Sequence, residues 1–430
     1  MQALHLFEKK RKLPIRAILL FCFPLFFIFL ADSVMSYIFP ILVADSLQSN
    51  TMLGIIMALS SILGIFCDFT FPQLLRNRSW KFQLTVGIII AILFPVFSNL
   101  GAVFSLSFFF VIATLIWGVY YEFLQFSQQS FVTGEETPKD FSKDWGIIFL
   151  IEEITVNVGP IIGSFLLTQR AITSNLTVNF FQIVSLILAL AVMMNMPTRR
   201  NGNIESQIQK TLNFFRELKY WEKLGERVWP VILSGITISF VSASYWTVGG
   251  LLGMELAGDS GYDWVVMVLF GVPLIFGSLI LTKIPLTRNK KRFSQISLFV
   301  GGLLMSTLIF FKHEPILLLS VIAVSSFALS FAGPLNEAVY SDLLERSGKS
   351  KMHLLGIAKA NTSLAYILAP LLTGYLADKT DYYLSLTVVG GIALVVGGVL
   401  LLSTPRKIKI PQLALKELDR DIKHSKILAS

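Results

Sequence analysis

Twelve apolar stretches, most of them about 20 residues long, run through this chain at about 17–44, 52–74, 82–99, 103–129, 145–169, 177–197, 229–253, 263–283, 293–311, 314–340, 352–376 and 383–403. A helix advances about 1.5 Å per residue and so needs roughly 20 apolar residues to cross the hydrocarbon core of a bilayer. The pattern predicts an all-α integral membrane protein with twelve transmembrane helices. Composition agrees. Hydrophobic residues make up 54% of the 430 and charged residues 15%, against about 25% charged in an average soluble domain. Mean hydropathy is +0.69. The first stretch is too long for a cleavable signal peptide, and no small-residue cleavage site follows it before the second.

The basic residues orient the chain. With the "EKKRK" terminus in the cytoplasm, the tails and even-numbered loops hold 32 of the 36 Lys and Arg residues. The opposite loops hold three, Arg170, Lys312 and Lys379, and Lys359 lies inside a span. Cytoplasmic loops carry such an excess, so both termini are expected in the cytoplasm of a plasma or inner membrane. The net charge of +9 is thereby a topology signal. Spread over seven segments, it forms no nucleic-acid patch.

Several function classes fall away. The two cysteines, Cys22 and Cys67, lie within spans and make no disulfide framework or metal site. The four histidines, His5, His313, His353 and His424, lie in tails or at span ends. No GxxxxGK[ST] loop is present to cradle nucleotide phosphates, and no nucleophile–base pair stands inside a span. The chain is expected to be no enzyme and to need no cofactor or metal.

An internal repeat underlies the spans. At an offset of 210 residues, "GIIFLIEEITVNVGPIIGSFLL" from Gly146 aligns with "GIAKANTSLAYILAPLLTGYLA" from Gly356, proline on proline at Pro160 and Pro370. At the same offset "DSVMSYIFPIL" from Asp32 meets "SASYWTVGGLL" from Ser242. Six spans followed by six in the same orientation is a parallel duplication. The expected domains are 1–198 and 228–404, each a six-helix bundle, with a cytoplasmic tail at 405–430. Between the halves, at 199–227, Ile204, Ile208, Leu212, Phe215 and Leu218 recur at three- and four-residue steps. That spacing predicts an amphipathic helix on the membrane or against the bundle.

Ionisable residues inside spans cost about 2.5–3.5 kcal/mol each on insertion scales and are functional candidates by default. They are Asp32 (span one), Glu122 (four), Glu152 and Glu153 (five), Glu337 (ten) and Lys359 (eleven). Five acids that can take and release protons suit a proton-coupled process. Glu337 and Lys359 share a depth and are expected to form a salt bridge. Glu152 and Glu153 point about 100° apart on their helix, so only one can face a given site.

With its twelve spans, two halves and basic middle loop, nearly the whole chain resembles the major facilitator superfamily of secondary transporters. "GPIIGS" in span five, with Gly159, Pro160 and Gly163, is similar to that family's fifth-helix signature, which is associated with antiporters; Ser164 stands where a final glycine is common. Gly64 and Asp68, followed by Arg76, Arg78 and Lys81, resemble its cytoplasmic latch after span two, without the usual following glycine. The family's mid-span arginine in span four is absent, and Trp117 and Glu122 occupy "LIWGVYYEFL" instead. The resemblance implies that spans one, four, seven and ten line a central cavity, which would gather Asp32, Tyr37, Glu122, Tyr245, Trp246, Asn336 and Glu337. Acids among aromatic faces suit an organic cation. The expectation is a monomeric, alternating-access secondary transporter in the bilayer, exchanging protons for amphipathic or cationic small molecules. A proton symporter for a polar nutrient such as a sugar or nucleoside, and a non-transporting sensor on the same scaffold, are the other readings.

Overall fold

The computed structural model describes residues 15–75, 78–135, 141–167, 171–195, 214–283, 289–347, 351–405 and 408. Among them the regular structure is helical throughout, and each of the twelve expected spans falls on helix. The first six are α1 (Ile15–Leu47), α2 (Asn50–Leu74), the pair α3 (Trp80–Ala91) and α4 (Leu93–Phe104), α5 (Ser107–Glu135), α6 (Phe141–Leu167) and α7 (Ala171–Asn195). Span seven is α8 (Phe214–Ser244), a π-helical turn (Tyr245–Gly249) and α9 (Gly250–Ala257). Span eight is α10 (Val265–Lys283), and span nine is α11 (Lys290–Met305) with a 3-10 turn, Leu308–Phe311. Span ten divides into α12 (Pro315–Leu329) and α13 (Ala332–Ser347), and α14 (Lys351–Lys379) and α15 (Tyr382–Ser403) complete the series. Nine helical segments among the described residues are long and apolar enough to cross a membrane.

The breaks within spans have local chemical causes. Pro95 carries no N–H, so it cannot donate to the carbonyl of Ala91, four residues back. Span three is interrupted there, and the freed Ala91 carbonyl accepts the Gln182 amide of α7 at 2.9 Å. Pro334 removes the donor to Ser330 in the same way, where span ten breaks between α12 and α13. A bilayer core has no water to satisfy such a carbonyl, so a neighbouring side chain must do it.

The chain separates into two compact units. The first comprises Met1–Ile204 and Trp246–Gly271, the second Glu205–Tyr245 and Val272–Ser430. In the first, α1 packs along α6 and α7, and α5 packs along α2 and α3. Phe21 stacks on Phe131 with ring centroids 3.9 Å apart, and Trp80 meets both rings edge-on. In the second, α8 packs along α14 and α15, and α11 along α15 and α12. The α1–α6 and α8–α14 pairs join the segments that align at the 210-residue offset. Of the expected linker helix, Ile204, Ile208 and Leu212 lie outside the described residues. From Phe214 the chain is one helix continuous with span seven, and it packs within the second unit. Leu224 and Val228 are buried there with Tyr340, Leu343 and Ile357.

Lys312 ties two loops of the second unit together. Its ammonium lies 2.6 Å from the Asp381 carboxylate and 5.4 Å from the centre of the Tyr383 ring. Asp381 also caps α15, accepting the Leu384 N–H at 2.7 Å. Partial burial pushes the Asp381 carboxyl up, but the Leu384 N–H and the Lys312 ammonium outweigh it and hold the group below the usual carboxylate value. A carboxyl depressed in the folded state stabilises above its unfolded pKa of about 3.9, and that contribution is lost as pH falls through the folded value. Asp381→Ala is therefore expected to lower stability at pH 7 by about 1 kcal/mol, mostly from the cap. The gap from wild type should close as pH is lowered below the usual carboxylate range. Melting of detergent-solubilised protein across pH checks this, and a gap that is constant down to acid pH would remove the ionised carboxyl from the account.

Candidate functional site

The fifth-span motif shows its purpose in the contact between α6 and α1. A Cβ on Gly159 would lie 2.7 Å from the Ser33 carbonyl carbon, and one on Gly163 would lie 2.7 Å from the Tyr37 ring. Gly159 and Gly163 are one turn apart, as are Ser33 and Tyr37, so two glycines admit two successive turns of α1. Pro160 frees the carbonyl of Val156, and the Ser33 hydroxyl donates to that oxygen at 3.3 Å. The kink and the close approach are thus one device. Pro370 sits inside α14 at the equivalent place, buried beside Ala369 and Thr373 where the first half has Gly159 and Gly163.

This seam sets the directions of Glu152 and Glu153 on α6. At about 100° per residue, Glu152, Val156, Gly159 and Gly163 share one arc of the helix, the one that meets α1. Glu153, Asn157, Pro160 and Ser164 share a second arc, about 100° further round. Glu152 thus lies on the α1 side of α6, two turns before Gly159, with Glu153 as its nearer charged neighbour and Asp32 of α1 within range of its charge. Asp32 accepts a short hydrogen bond from the Tyr120 hydroxyl of α5 and a second from the Trp117 indole. These partners are neutral.

The second arc of α6 faces residues 246–271, which belong to the first unit. Ser164 donates to one carboxylate oxygen of Asp263, and Tyr37 donates to the other at 2.7 Å. Asn157 donates to the Glu153 carbonyl at 2.9 Å and packs against Gly271, where a Cβ would lie 3.1 Å from the Asn157 amide carbon. Its buried Oδ1 has no hydrogen-bond partner among the described residues. Asp263 is absent from the residues expected from sequence. It is the first residue of the stretch read as span eight, it precedes α10 in the structure, and no sequence spacing connects it to Tyr37, 226 positions away.

Glu122 is buried, and its Oε1 lies 3.2 Å from where a Gly64 Cβ would be. It therefore faces α2, about 200° round α5 from the Tyr120 that holds Asp32. Gly64, expected as part of a cytoplasmic latch, is thus the small residue that admits Glu122. The Asp68 side chain and Arg76 lie outside the described residues. Arg78 is exposed, with its guanidinium 5.0 Å from the centre of the Phe82 ring.

In the second unit Tyr245 is fully buried with its hydroxyl toward Ser325, and Asn336 is buried with its amide nitrogen close to Gly235. Trp246, which belongs to the first unit, is half-buried. Glu337 is exposed on α13. The side chain of Lys359 lies outside the described residues, so its pairing with Glu337 is not part of this geometry. Neutral groups join the second unit's helices here: Asn361 donates to the Tyr340 hydroxyl at 2.8 Å, and Ser242 and Tyr366 share a hydrogen bond at 3.5 Å.

Residues 236–429 match the sequence profile of the Major Facilitator Superfamily. No curated protein matches the chain in sequence. Solved structures with the same fold include the nucleoside transporter NupG, at a TM-score of 0.70 and 13% identity over 90% of this chain and 99% of that one. The human organic anion transporter MFSD10 (TETRAN) aligns at a TM-score of 0.65 and 13% identity, over 90% of this chain and 100% of its own. A bacterial homologue of the human lysosomal transporter Spinster aligns at 0.64 and 11%, over 90% and 96%. The chain is thus a multi-pass membrane protein with the major facilitator fold, and its second half matches the Major Facilitator Superfamily in sequence as well.

Proposed function

We propose that the chain is a proton-coupled secondary transporter in which Asp32 and Glu152 form the coupling pair. The observation that carries this reading is the placement of Asp32, a mid-span carboxylate held by the neutral Tyr120 and Trp117, with the Glu152 carboxylate of α6 within range of its charge. Like charges so placed repel. One proton, or one cationic substrate group, relieves both, and competition between the two is a minimal exchange mechanism. Glu122, Glu153 and Glu337 are the further proton sites proposed. The Glu337–Lys359 salt bridge remains part of the proposal. So do both termini in the cytoplasm, the two halves at 1–198 and 228–404, and a monomer as the working unit.

The substrate class favoured is an amphipathic or cationic compound, exported by exchange. A polar nutrient such as a nucleoside is the second reading. It is favoured by the likeness to a nucleoside transporter and by the neutral set Asn361, Tyr340, Ser242 and Tyr366, which suits hydroxyl-bearing ligands. Reconstituted vesicles with an imposed pH gradient separate the two. Accumulation of labelled tetraphenylphosphonium driven by an opposed proton gradient supports exchange, and accumulation of labelled uridine with the gradient supports symport. A gradient-independent flux of either would sink the coupling.

A further inference from the structure

We propose that Asp263 is a latch that holds the 246–271 segment shut on α1 and α6, and that the transport cycle proposed above requires Tyr37 and Ser164 to release its carboxylate. Both oxygens of the carboxylate are engaged, each by a hydroxyl from a different helix, Tyr37 of α1 and Ser164 of α6. Hydrogen bonds to an ionised acceptor are roughly twice as strong as neutral ones. Asp263 thus fastens the loop between spans seven and eight to both helices of the close-packed seam.

The local backbone is built to bring Asp263 there. After α9 the chain turns through Gly258 and Gly261, both at positive φ (50° and 73°), a region that side chains rarely adopt. The turn folds the loop back onto α9, where a Cβ on Gly253 would lie 3.0 Å from the Asp263 carbonyl carbon. The same segment seats on α1 and α6 through Gly250 against Tyr37 and Gly271 against Asn157.

Two features distinguish a latch from a fixed joint. The fastening is polar and lies beside solvent. Asp263 is half-buried and its neighbour Tyr262 is 63% exposed, so water can replace each bond as it opens. The segment is also bounded by places where helices bend, the π-helical turn Tyr245–Gly249 at one end and Pro273 at the other. A segment with a bend at each end and a polar catch at its middle can lift without unfolding the helices it joins.

The test reads accessibility rather than flux, so it stands apart from the transport reading on which it rests. Asn157 is buried against Gly271 of the segment and takes no part in the catch, and Asn157→Cys places a thiol there. Labelling of that thiol by a membrane-impermeant maleimide, added to either face of sealed vesicles, reports lifting. The unsubstituted chain serves as the blank, because Cys22 and Cys67 are both buried. Adding Asp263→Asn is expected to raise the labelling rate about tenfold, the effect of some 1.4 kcal/mol, and Asp263→Ala at least as much. Tyr37→Phe, which keeps the ring against Gly163, should raise it severalfold and decides the matter if the Asp263 variants fail to insert. Labelling at Cys67, far from the latch, should stay at the blank level. Rates unchanged within twofold overturn the proposal. So does faster labelling of the introduced thiol and Cys67 together, which marks general loosening. Faster labelling of the introduced thiol alone, in a chain that shows no flux, leaves the latch standing and removes the transport reading instead.

Discussion

Replacing Gly159 with alanine is expected to cost about 3 kcal/mol or more and to leave little folded, inserted protein. The added methyl would sit 2.5 Å from the Ser33 Cβ and 2.7 Å from its carbonyl carbon, and neither backbone can move aside. On one side Pro160 restricts α6. On the other, Ser33 is held by its bond to the Val156 carbonyl and lies next to Asp32, which α5 holds. Inserting one carbon into a packed interior costs about 1–3 kcal/mol when side chains can adjust. Here the Ser33 hydroxyl can rotate away but its Cβ and main-chain carbonyl carbon cannot, so the upper end applies. Gly163→Ala meets the edge of the Tyr37 ring, which can tilt, and should cost less. The control is Gly391 in α15, where an added Cβ has nothing within 4 Å. Gly391→Ala should be neutral or stabilising by up to about 1 kcal/mol, since alanine favours helix over glycine. Monodisperse yield and melting temperature in detergent distinguish the two, and equal behaviour would show that the α1–α6 seam is not tight.

The spans and the 210-residue repeat were legible in the sequence because each is local or periodic. A run of apolar residues long enough to cross a bilayer has one physical meaning, and Gly-Pro-x-x-Gly within such a run announces a bend with a close neighbour. What could not be read was direction. The 100° rule shows that Glu152 and Glu153 diverge, but only the partner of Gly159 reveals which arc of α6 meets α1, and so that Glu152 rather than Glu153 lies on that side. The family resemblance gathers Glu122 into one cavity with Asp32, and it is the Gly64 contact that turns it toward α2. Helix-interrupting prolines were visible, yet their compensation was not. Gln182 answers Pro95 from another helix at a separation no pattern encodes, and Asp263 meets Tyr37 in the same non-local way. Sequence periodicity carries the radial position of a residue in a bundle, and tertiary contact supplies its azimuth.

Asp32→Asn is expected to abolish gradient-driven transport while leaving the protein folded and inserted. The amide is nearly isosteric with the carboxyl. Its oxygen can still accept from the Tyr120 hydroxyl and the Trp117 indole, so the contact between α1 and α5 survives. What disappears is the charge, and with it the repulsion from Glu152 that a proton or a cationic substrate would relieve. The variant mimics a permanently protonated site. Accumulation against a gradient should fall at least about tenfold, the equivalent of one pKa unit or about 1.36 kcal/mol of lost coupling, and the remaining flux should lose its dependence on pH. Glu152→Gln removes the other member of the pair and should weaken coupling in the same direction. Tyr120→Phe leaves the charge in place and takes away a hydroxyl, so it should shift the pH dependence of flux without erasing it. The three profiles together separate charge from packing. If Asp32→Asn carries substrate at the wild-type rate with an unchanged pH profile, Asp32 is a hydrogen-bonded strut between α1 and α5, and coupling passes to Glu153 on the other arc of α6.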